Sequence, residues 1–295
     1  MFKKIQQKES FLLVGIILSM LIWGISWPSA KVLTRYGAPL DIAILRFAFT
    51  VLSVCFILFF SKTSFRITKQ GWIPLSISSV LMAGYSLLFF TGIQKGMPGA
   101  GGVLVTTMTP IVTFFIAVIV SKRKLAKQEK IGLLVGLVAG VFLLKLWANA
   151  SHIFESGNLF FIASTFLWAI LSRFTAKSRT YGSPLGFSFW IYVFCVLILL
   201  CFSNPLQIME ILKNGDTLFW MNLIFNGMVN TGMATTFYFF ATSKLGAEKT
   251  SSFIYIVPFA AAFFSFLLLQ EHVAWNTILG GLLGVSAVWM INKKK

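Results

Sequence analysis

Ten apolar runs of about twenty residues each constrain what this chain can fold into: 11–34, 40–61, 72–95, 99–121, 131–148, 157–178, 184–203, 217–244, 250–270 and 274–292. A bilayer core about 30 Å thick takes a helix of roughly 20 apolar residues. Water-soluble domains carry about a quarter charged residues; this chain carries 11%, too few to clothe ten such runs in water. The first run is longer than the h-region of a secretory signal, about 7–15 residues, and no small-residue cleavage site follows it, so it is expected to stay as a span.

The net charge of +17 has to be read by position, since polytopic membrane proteins keep basic residues in their cytoplasmic loops. With the N-terminus placed in the cytoplasm, 19 of the 25 Lys and Arg fall in inside segments. These are Lys3, Lys4 and Lys8; Lys62, Arg66 and Lys69; Lys122, Arg123, Lys124, Lys127 and Lys130; Arg173, Lys177 and Arg179; Lys244 and Lys249; and Lys293 to Lys295. Lys31, Arg35, Lys95, Lys145 and Lys213 fall outside, and Arg46 lies within a span. The charge therefore reports orientation, with both termini cytoplasmic in a cell (inner) membrane, and not a nucleic-acid partner. The basic loop Lys122–Lys130 is suited to anionic lipid head groups. Cys55, Cys195 and Cys201 sit inside apolar runs and imply no disulfide framework. His152 and His272 are too few for a haem or multi-His metal centre. No cofactor and no metal is expected.

The chain repeats itself. Tyr36-Gly37-Ala38-Pro39-Leu40 returns as Tyr181-Gly182-Ser183-Pro184-Leu185, an offset of 145 that also carries Trp23 onto Trp168. Later the offset becomes 148, taking Pro110 to Pro258, Gly132 to Gly280 and Gly136 to Gly284. Each half then holds five spans, and an odd number inserts the second half upside down relative to the first. Inverted repeats of this kind build carriers whose substrate site lies near the midplane between the halves. The expected architecture is an all-α membrane protein, ten transmembrane helices arranged as two inverted five-helix repeats, 1–148 and 149–295, around a central cavity.

Ile22-Trp23-Gly24 with Lys31 in the first run, Leu45-Arg46-Phe47 in the second, and Leu245-Gly246-Ala247, Val257-Pro258, Gln270-Glu271-His272 and Leu279-Gly280 in the second half stand in a telling order. Over essentially its whole length the chain resembles the ten-span EamA branch of the drug/metabolite transporter superfamily. One departure is that Ser121-Lys122-Arg123 stands where an acidic residue usually closes the fourth span. The resemblance implies a carrier of small organic metabolites, amino acids among them.

Several positions carry chemistry. Pro110 and Pro258 each remove a backbone donor and free the carbonyl four residues earlier, on Thr106 and Ile254. Inside a bilayer such groups must be buried in protein or face water, so these helices either line a cavity and flex during gating or are packing kinks. Asn222, Asn226 and Asn230, four apart, share one helical face and either line a polar path or bond neighbouring helices. Trp23, Tyr85 and Trp168 offer aromatic surface with a polar tip near the same depth. Arg46 is costly within a span; with Lys31 it would attract an anionic group such as a carboxylate, unless Asp41 neutralises one of them. The expected substrate-binding set is Trp23, Tyr85, Trp168, Asn226, Asn230 and Arg46, with Pro110 and Pro258 as kink or gating positions. Apart from Asp41 and Glu271 at run ends, the runs contain no Asp or Glu, which leaves no midplane carboxylate to relay protons. Gly132, Gly136 and Gly140 suit close helix packing within the chain or in a weak homodimer. The function expected is alternating-access export, exchange or facilitated diffusion of a small metabolite. A channel, a non-transporting scaffold and a membrane-embedded enzyme are the alternatives, and the last lacks any cluster of acids or His.

Overall fold

The computed structural model describes residues 2–96, 98–149, 156–269 and 275–293. Among the described residues every regular element is helical, and an isolated antiparallel bridge joins Ile67 to Gly182. The first half contributes α1 (Phe2–Leu33), α2 (Pro39–Phe60), α3 (Trp72–Lys95), α4 (Pro98–Ser121) and α5 (Lys127–Leu144). The second contributes α6 (Ser156–Ala176), α7 (Pro184–Leu200), α8 (Pro205–Asn214), α9 (217–245), α10 (247–269) and α11 (Trp275–Asn292). Gln270, Glu271 and His272, part of the recognised pattern, lie outside the described residues, as does His152.

The repeated Tyr-Gly-x-Pro-Leu segment is a helix-starting device. Pro39 and Pro184 stand in the first turns of α2 and α7, where the missing N–H has no partner to lose and the fixed φ suits the helix. Asp216 accepts the Phe219 N–H at 2.8 Å to cap α9. Lys62, Lys122 and Lys145 follow α2, α4 and α5 with φ of 49°, 50° and 50°, a left-handed stop whose cation suits the negative helix end.

Among the described residues five stretches are long and apolar enough to cross a membrane by themselves: Ser10–Leu33, Pro39–Phe60, Lys69–Lys95, Gly101–Ser121 and Gly157–Thr180. The bent pair α7 and α8, meeting at 109°, makes a sixth if counted together. The remaining runs fall on helices that are broken or short. α9 is α-helical over Thr217–Ile224, π-helical over Phe225–Thr235 and α-helical again over Thr236–Leu245. α10 passes from Ala247–Ser252 through a 3-10 turn, Phe253–Ile256, into Val257–Leu269. α5 and α11 have 18 residues each, about 27 Å of helix. The segment between the seventh and eighth runs forms α8, which buries Ile211 and leaves Leu206 and Met209 exposed.

α1 packs on α9 and α10, α2 on α7 and α9, α3 on α6 and α7, α4 on α6, and α5 on α11. The α5–α11 contact depends on glycine. A Cβ at Gly132 would stand 2.6 Å from Ile291 Cγ1 and 3.1 Å from the Ala287 carbonyl; one at Gly280 would stand 2.6 Å from Leu143 Cγ and 3.0 Å from the Ala139 carbonyl. Gly136 and Gly140 likewise meet Tyr255 and Thr107, so this small-residue stripe is spent within the chain. Phe60, Ile73, Leu134 and Phe202 stand on the outer surface, each more than 60% exposed, an apolar belt too extensive for a soluble monomer.

Candidate functional site

The central cavity begins with α1. Trp23 and Trp27, four apart, project from one face of that helix. The Trp23 ring meets Trp168 of α6 edge to face at 5.3 Å and Tyr238 of α9 at 5.0 Å, while its Nε1 donates to Thr235 Oγ1 at 3.2 Å. Tyr85 of α3 lies 4.7 Å from Trp168, and Trp27 stands 4.9 Å from Phe89. These rings and their neighbours line a cavity of about 50 Å³, room for a few water molecules. Seven helices line it: α1 (Trp23, Ser26, Trp27), α2 (Arg46), α3 (Met82, Tyr85, Phe89), α4 (Val105, Thr106, Thr109), α6 (Trp168), α9 (Asn230, Thr231, Thr235) and α10 (Ile254, Val257).

Trp23, Arg46, Tyr85, Trp168 and Asn230 meet here; Asn226 does not line this space. Its amide nitrogen donates to Ser29 Oγ at 2.6 Å and to the Asn222 carbonyl at 3.2 Å, and Ser29 in turn donates to Asn222 Oδ1 at 2.5 Å. Asn222 and Asn226 therefore bond α9 to α1, whereas Asn230 turns to the cavity. The π register between them explains the split. Thr231, Thr235 and Thr236 hydroxyls donate to the carbonyls of Asn226, Asn230 and Thr231, each five residues back, at 2.9, 3.1 and 3.2 Å. One extra residue per turn changes the face that α-helical spacing predicts, a departure that often marks functional helices.

Arg46 is 4% exposed. Its Nη2 donates to Ser86 Oγ at 2.5 Å, and its guanidinium lies over the rings of Phe47 and Phe90 at 4.7 and 5.0 Å, where cation–π attraction offsets part of the desolvation. Among the described residues no carboxylate pairs with it. Lys31 is engaged elsewhere: its Nζ donates to the carbonyls of Ile93 at 2.6 Å and Gly96 at 3.3 Å, holding the C-terminal end of α3 as a cation suited to the helix dipole. Among the described residues two buried polar atoms on lining residues have no protein partner: Arg46 Nε and Asn230 Oδ1. Buried polar atoms are nearly always paired, so two such atoms around one space make a feature for a solute or water to complete.

Thr106 and Ile254, four residues before the two prolines, both line the cavity, and the Ile254 carbonyl accepts the Val257 N–H in place of the donor that Pro258 lacks. Around Pro110 the helix is laced by hydroxyls, with Thr109 Oγ1 donating to the Val105 carbonyl at 2.6 Å and Thr113 Oγ1 to that of Thr109 at 2.7 Å; such back-bonding bends helices. Ahead of Pro258 the 3-10 turn replaces α-helix. Trp27 and Phe89 were findable from the sequence as the i+4 neighbours of Trp23 and Tyr85. Thr106 was findable as the residue four before Pro110; Ser86, Thr109 and Thr235 gave no such signal.

The two ends of the bundle are tied differently. At the end where α1 and α3 terminate, Tyr36 donates to Asp216 Oδ1 at 2.7 Å. The Phe219 N–H and then that hydroxyl hold the Asp216 carboxyl below its ordinary range, and the same bond, followed by desolvation, raises the Tyr36 hydroxyl. At the other end Arg173 of α6 reaches Glu248 at the start of α10 at 3.3 Å and also donates to Ser121 at the end of α4. Among the described residues no group of three or more His, Cys, Asp or Glu could hold a metal ion.

The pattern of the EamA-like transporter family matches this chain twice, over residues 10–145 and 155–293. A Bacillus subtilis protein named "Uncharacterized transporter YoaV" is 29% identical over 94% of this chain and 95% of its own length. A Salmonella typhimurium protein named "Probable amino-acid metabolite efflux pump" is 26% identical over 58% of this chain and 54% of that one. A solved crystal structure shares the fold with a TM-score of 0.72 at 15% identity, covering 95% of this chain and 97% of the other.

Proposed function

Because this chain belongs to the EamA-like transporter family, we propose that it is a secondary transporter of small organic metabolites such as amino acids, working by alternating access as an exporter, exchanger or facilitator. It is a multi-pass membrane protein. In the proposed arrangement ten spans form two inverted five-helix halves, with both termini cytoplasmic in the cell membrane. The halves rock about the central cavity, and bending at Pro110 and Pro258 accompanies the movement.

The observation that carries this reading is that one cavity draws its lining from both halves and presents buried polar atoms with no protein partner. The packing supports the two-fold relation. Exchanging the halves turns α3–α6 into α9–α1, α4–α6 into α10–α1 and α2–α9 into α7–α3, and all six pairs are in contact. The exchange also turns the Thr50 Oγ1 bond to the Gly227 carbonyl, 2.9 Å, into the Cys195 Sγ bond to the Ser79 carbonyl, 3.3 Å. The name of the Salmonella typhimurium relative supports amino-acid-like cargo.

Purified protein in liposomes tests the reading. Saturable uptake of an amino acid or related metabolite, with counterflow when the lumen is preloaded, is expected for a carrier and not for a channel. Absence of saturable flux for every such solute, or flux unchanged by Asn230→Leu, would overturn it.

A further inference from the structure

We infer that a second cavity, between the start of α2 and α8, binds a primary ammonium group with Asp41 as its counter-ion. It shares no lining residue with the central cavity, so the assignment stands whatever solute the central cavity carries.

The repeat shows why a space exists at this end. The offset of 145 sets Gly186 of α7 where Asp41 stands in α2. At Gly186 the helix start is sealed by the segment ahead of α3. A Cβ there would stand 2.6 Å from the Ser64 carbonyl, Trp190 Nε1 donates to the Phe65 carbonyl at 2.8 Å, and Ile67 bridges to Gly182. Beside Asp41 the covering element is α8 instead. Ile211 presses on Gly37 so closely that no side chain fits between them. Next to that contact a cavity of about 330 Å³ stays open, the low end of the roughly 300–1,000 Å³ of ligand pockets.

Charge and hydrogen bonding decide what the cavity takes. Asp41 lines it while only 4% exposed, and among the described residues its carboxylate has no hydrogen-bond or ion-pair partner. Lys31 and Arg46, the cations the sequence sets nearest, are engaged at the Ile93 and Gly96 carbonyls and at Ser86. The start of α2 favours a negative charge, but a buried carboxylate without a partner is costly. Glu210, exposed on α8, adds a second acid at the rim, Gln207 and Asn214 add amide oxygens, and no Lys, Arg or His lines the space. Charge therefore selects a cation. A bare metal ion is a poor match, because hard divalent ions collect about six or more oxygens and two carboxylates on separate helices supply few. An ammonium group has three donors and no acceptor, suited to one carboxylate and neighbouring amide oxygens. Tyr36 has its hydroxyl committed to Asp216, so it offers the cavity its ring, a surface that attracts cations. Ile211 lies beside the space for an alkyl stem. Two sources carry this chemistry, a free amine and an aminophospholipid head group. The second is within reach because α8 exposes Leu206 and Met209 in the manner of an interfacial helix.

The test is the melting temperature of the detergent-purified full chain titrated with ethanolamine, choline, ethylene glycol and sodium at constant ionic strength, since a ligand binding the folded state raises it. Ethanolamine is expected to stabilise saturably and ethylene glycol not at all. Choline, which has no N–H, and sodium are expected to bind about ten- to hundredfold more weakly, the range set by one lost hydrogen bond to a charged group. Asp41→Asn, nearly isosteric, is expected to lose a similar factor. Glu210→Lys, at an exposed position that cannot disturb the core, places a rival ammonium at the rim and is expected to weaken ethanolamine as well. Phosphatidylethanolamine in mixed micelles that stabilises the parent, fails on Asp41→Asn and blocks ethanolamine identifies the head group as occupant; ethanolamine binding undisturbed by that lipid identifies a free amine. Sodium or choline binding as tightly as ethanolamine would overturn the assignment, as would no saturable effect of ethanolamine or the aminolipid. Unchanged ethanolamine binding in Glu210→Lys, or in an Asp41→Asn protein that melts cooperatively, would overturn it too. Binding kept in Asp41→Asn but lost in Asn230→Leu would move the amine to the central cavity.

Discussion

The indole rings of Trp23 and Trp168 meet edge to face at 5.3 Å although 145 positions separate them in the chain. Counterparts in two copies of a repeat touch one another only near the axis that relates the copies. Phe47 and Tyr192, separated by the same offset, stack at 5.9 Å, so two pairs mark the line of the proposed axis, and the first of them borders the cavity. Such ring pairs contribute about 0.5–1.5 kcal/mol beyond their buried area. A double-mutant cycle with Trp23→Leu and Trp168→Leu, read as unfolding free energy in detergent, should return a coupling in that range. The single Trp23→Leu should cost more than Trp168→Leu, because it also frees Thr235 from its indole donor. A coupling of zero would separate the rings.

Asn226 and Asn230 should fail in different ways. Asn226→Leu removes the amide bonded to Ser29 and to the Asn222 carbonyl, so it should destabilise by about 1–3 kcal/mol, the penalty for stranding buried partners. Asn230→Leu removes an oxygen that has no protein partner and should leave the melting temperature near that of the parent while cutting flux at least about tenfold, the equivalent of roughly 1.4 kcal/mol. The same melting temperature and flux for both variants would put the two amides in one environment.

The Tyr36–Asp216 bond gives one end of the bundle a pH window. Asp216 has its carboxyl lowered in the folded protein, so its contribution is present above the ordinary value of 3.8 and disappears as pH falls through the lowered one. Tyr36 has its hydroxyl raised, so its contribution is complete below the ordinary value of 10.0 and disappears as pH rises through the raised one. Melting temperatures of the parent and Tyr36→Phe should therefore differ by a constant amount between about pH 5 and 9 and converge beyond both limits. A difference that peaks near pH 7, where neither group titrates, would contradict this origin.

The sequence made the lining legible wherever local spacing or the repeat carried it. Trp23 and Trp168 follow from the offset, Tyr85 and Arg46 from a polar tip or a charge inside an apolar run, and the role of α5 and α11 from glycines four apart. Three features escaped for physical reasons. The π register of α9 splits Asn226 from Asn230, and the hydroxyl bonds to carbonyls five residues back that accompany it are not revealed by a residue list. The carbonyls that hold Lys31 come from a helix 62 to 65 positions away, so its pairing is a product of packing. The amphipathic α8 has a readable start, Asn204 accepting the Leu206 N–H ahead of Pro205, but at 10 residues it is far shorter than a span.

Gly132 and Gly280 test the proposed two-fold relation most directly, because their surroundings are near copies. Each would push a new Cβ to 2.6 Å from a branched aliphatic side chain, Ile291 or Leu143, and to within 3.1 and 3.0 Å of a backbone carbonyl, Ala287 or Ala139. The side chains can rotate away, but the carbonyls belong to the partner helix and cannot move without parting α5 from α11. Gly132→Leu and Gly280→Leu should each destabilise by about 1–3 kcal/mol, the usual penalty of overpacking, and by nearly equal amounts. Val285→Leu, at a 42% exposed position on α11, should leave the melting temperature unchanged. Because both glycines press on one interface, the double variant should cost less than the sum of the single ones. Strongly unequal single costs, or full additivity, would mean that the two contacts do not share a symmetric interface.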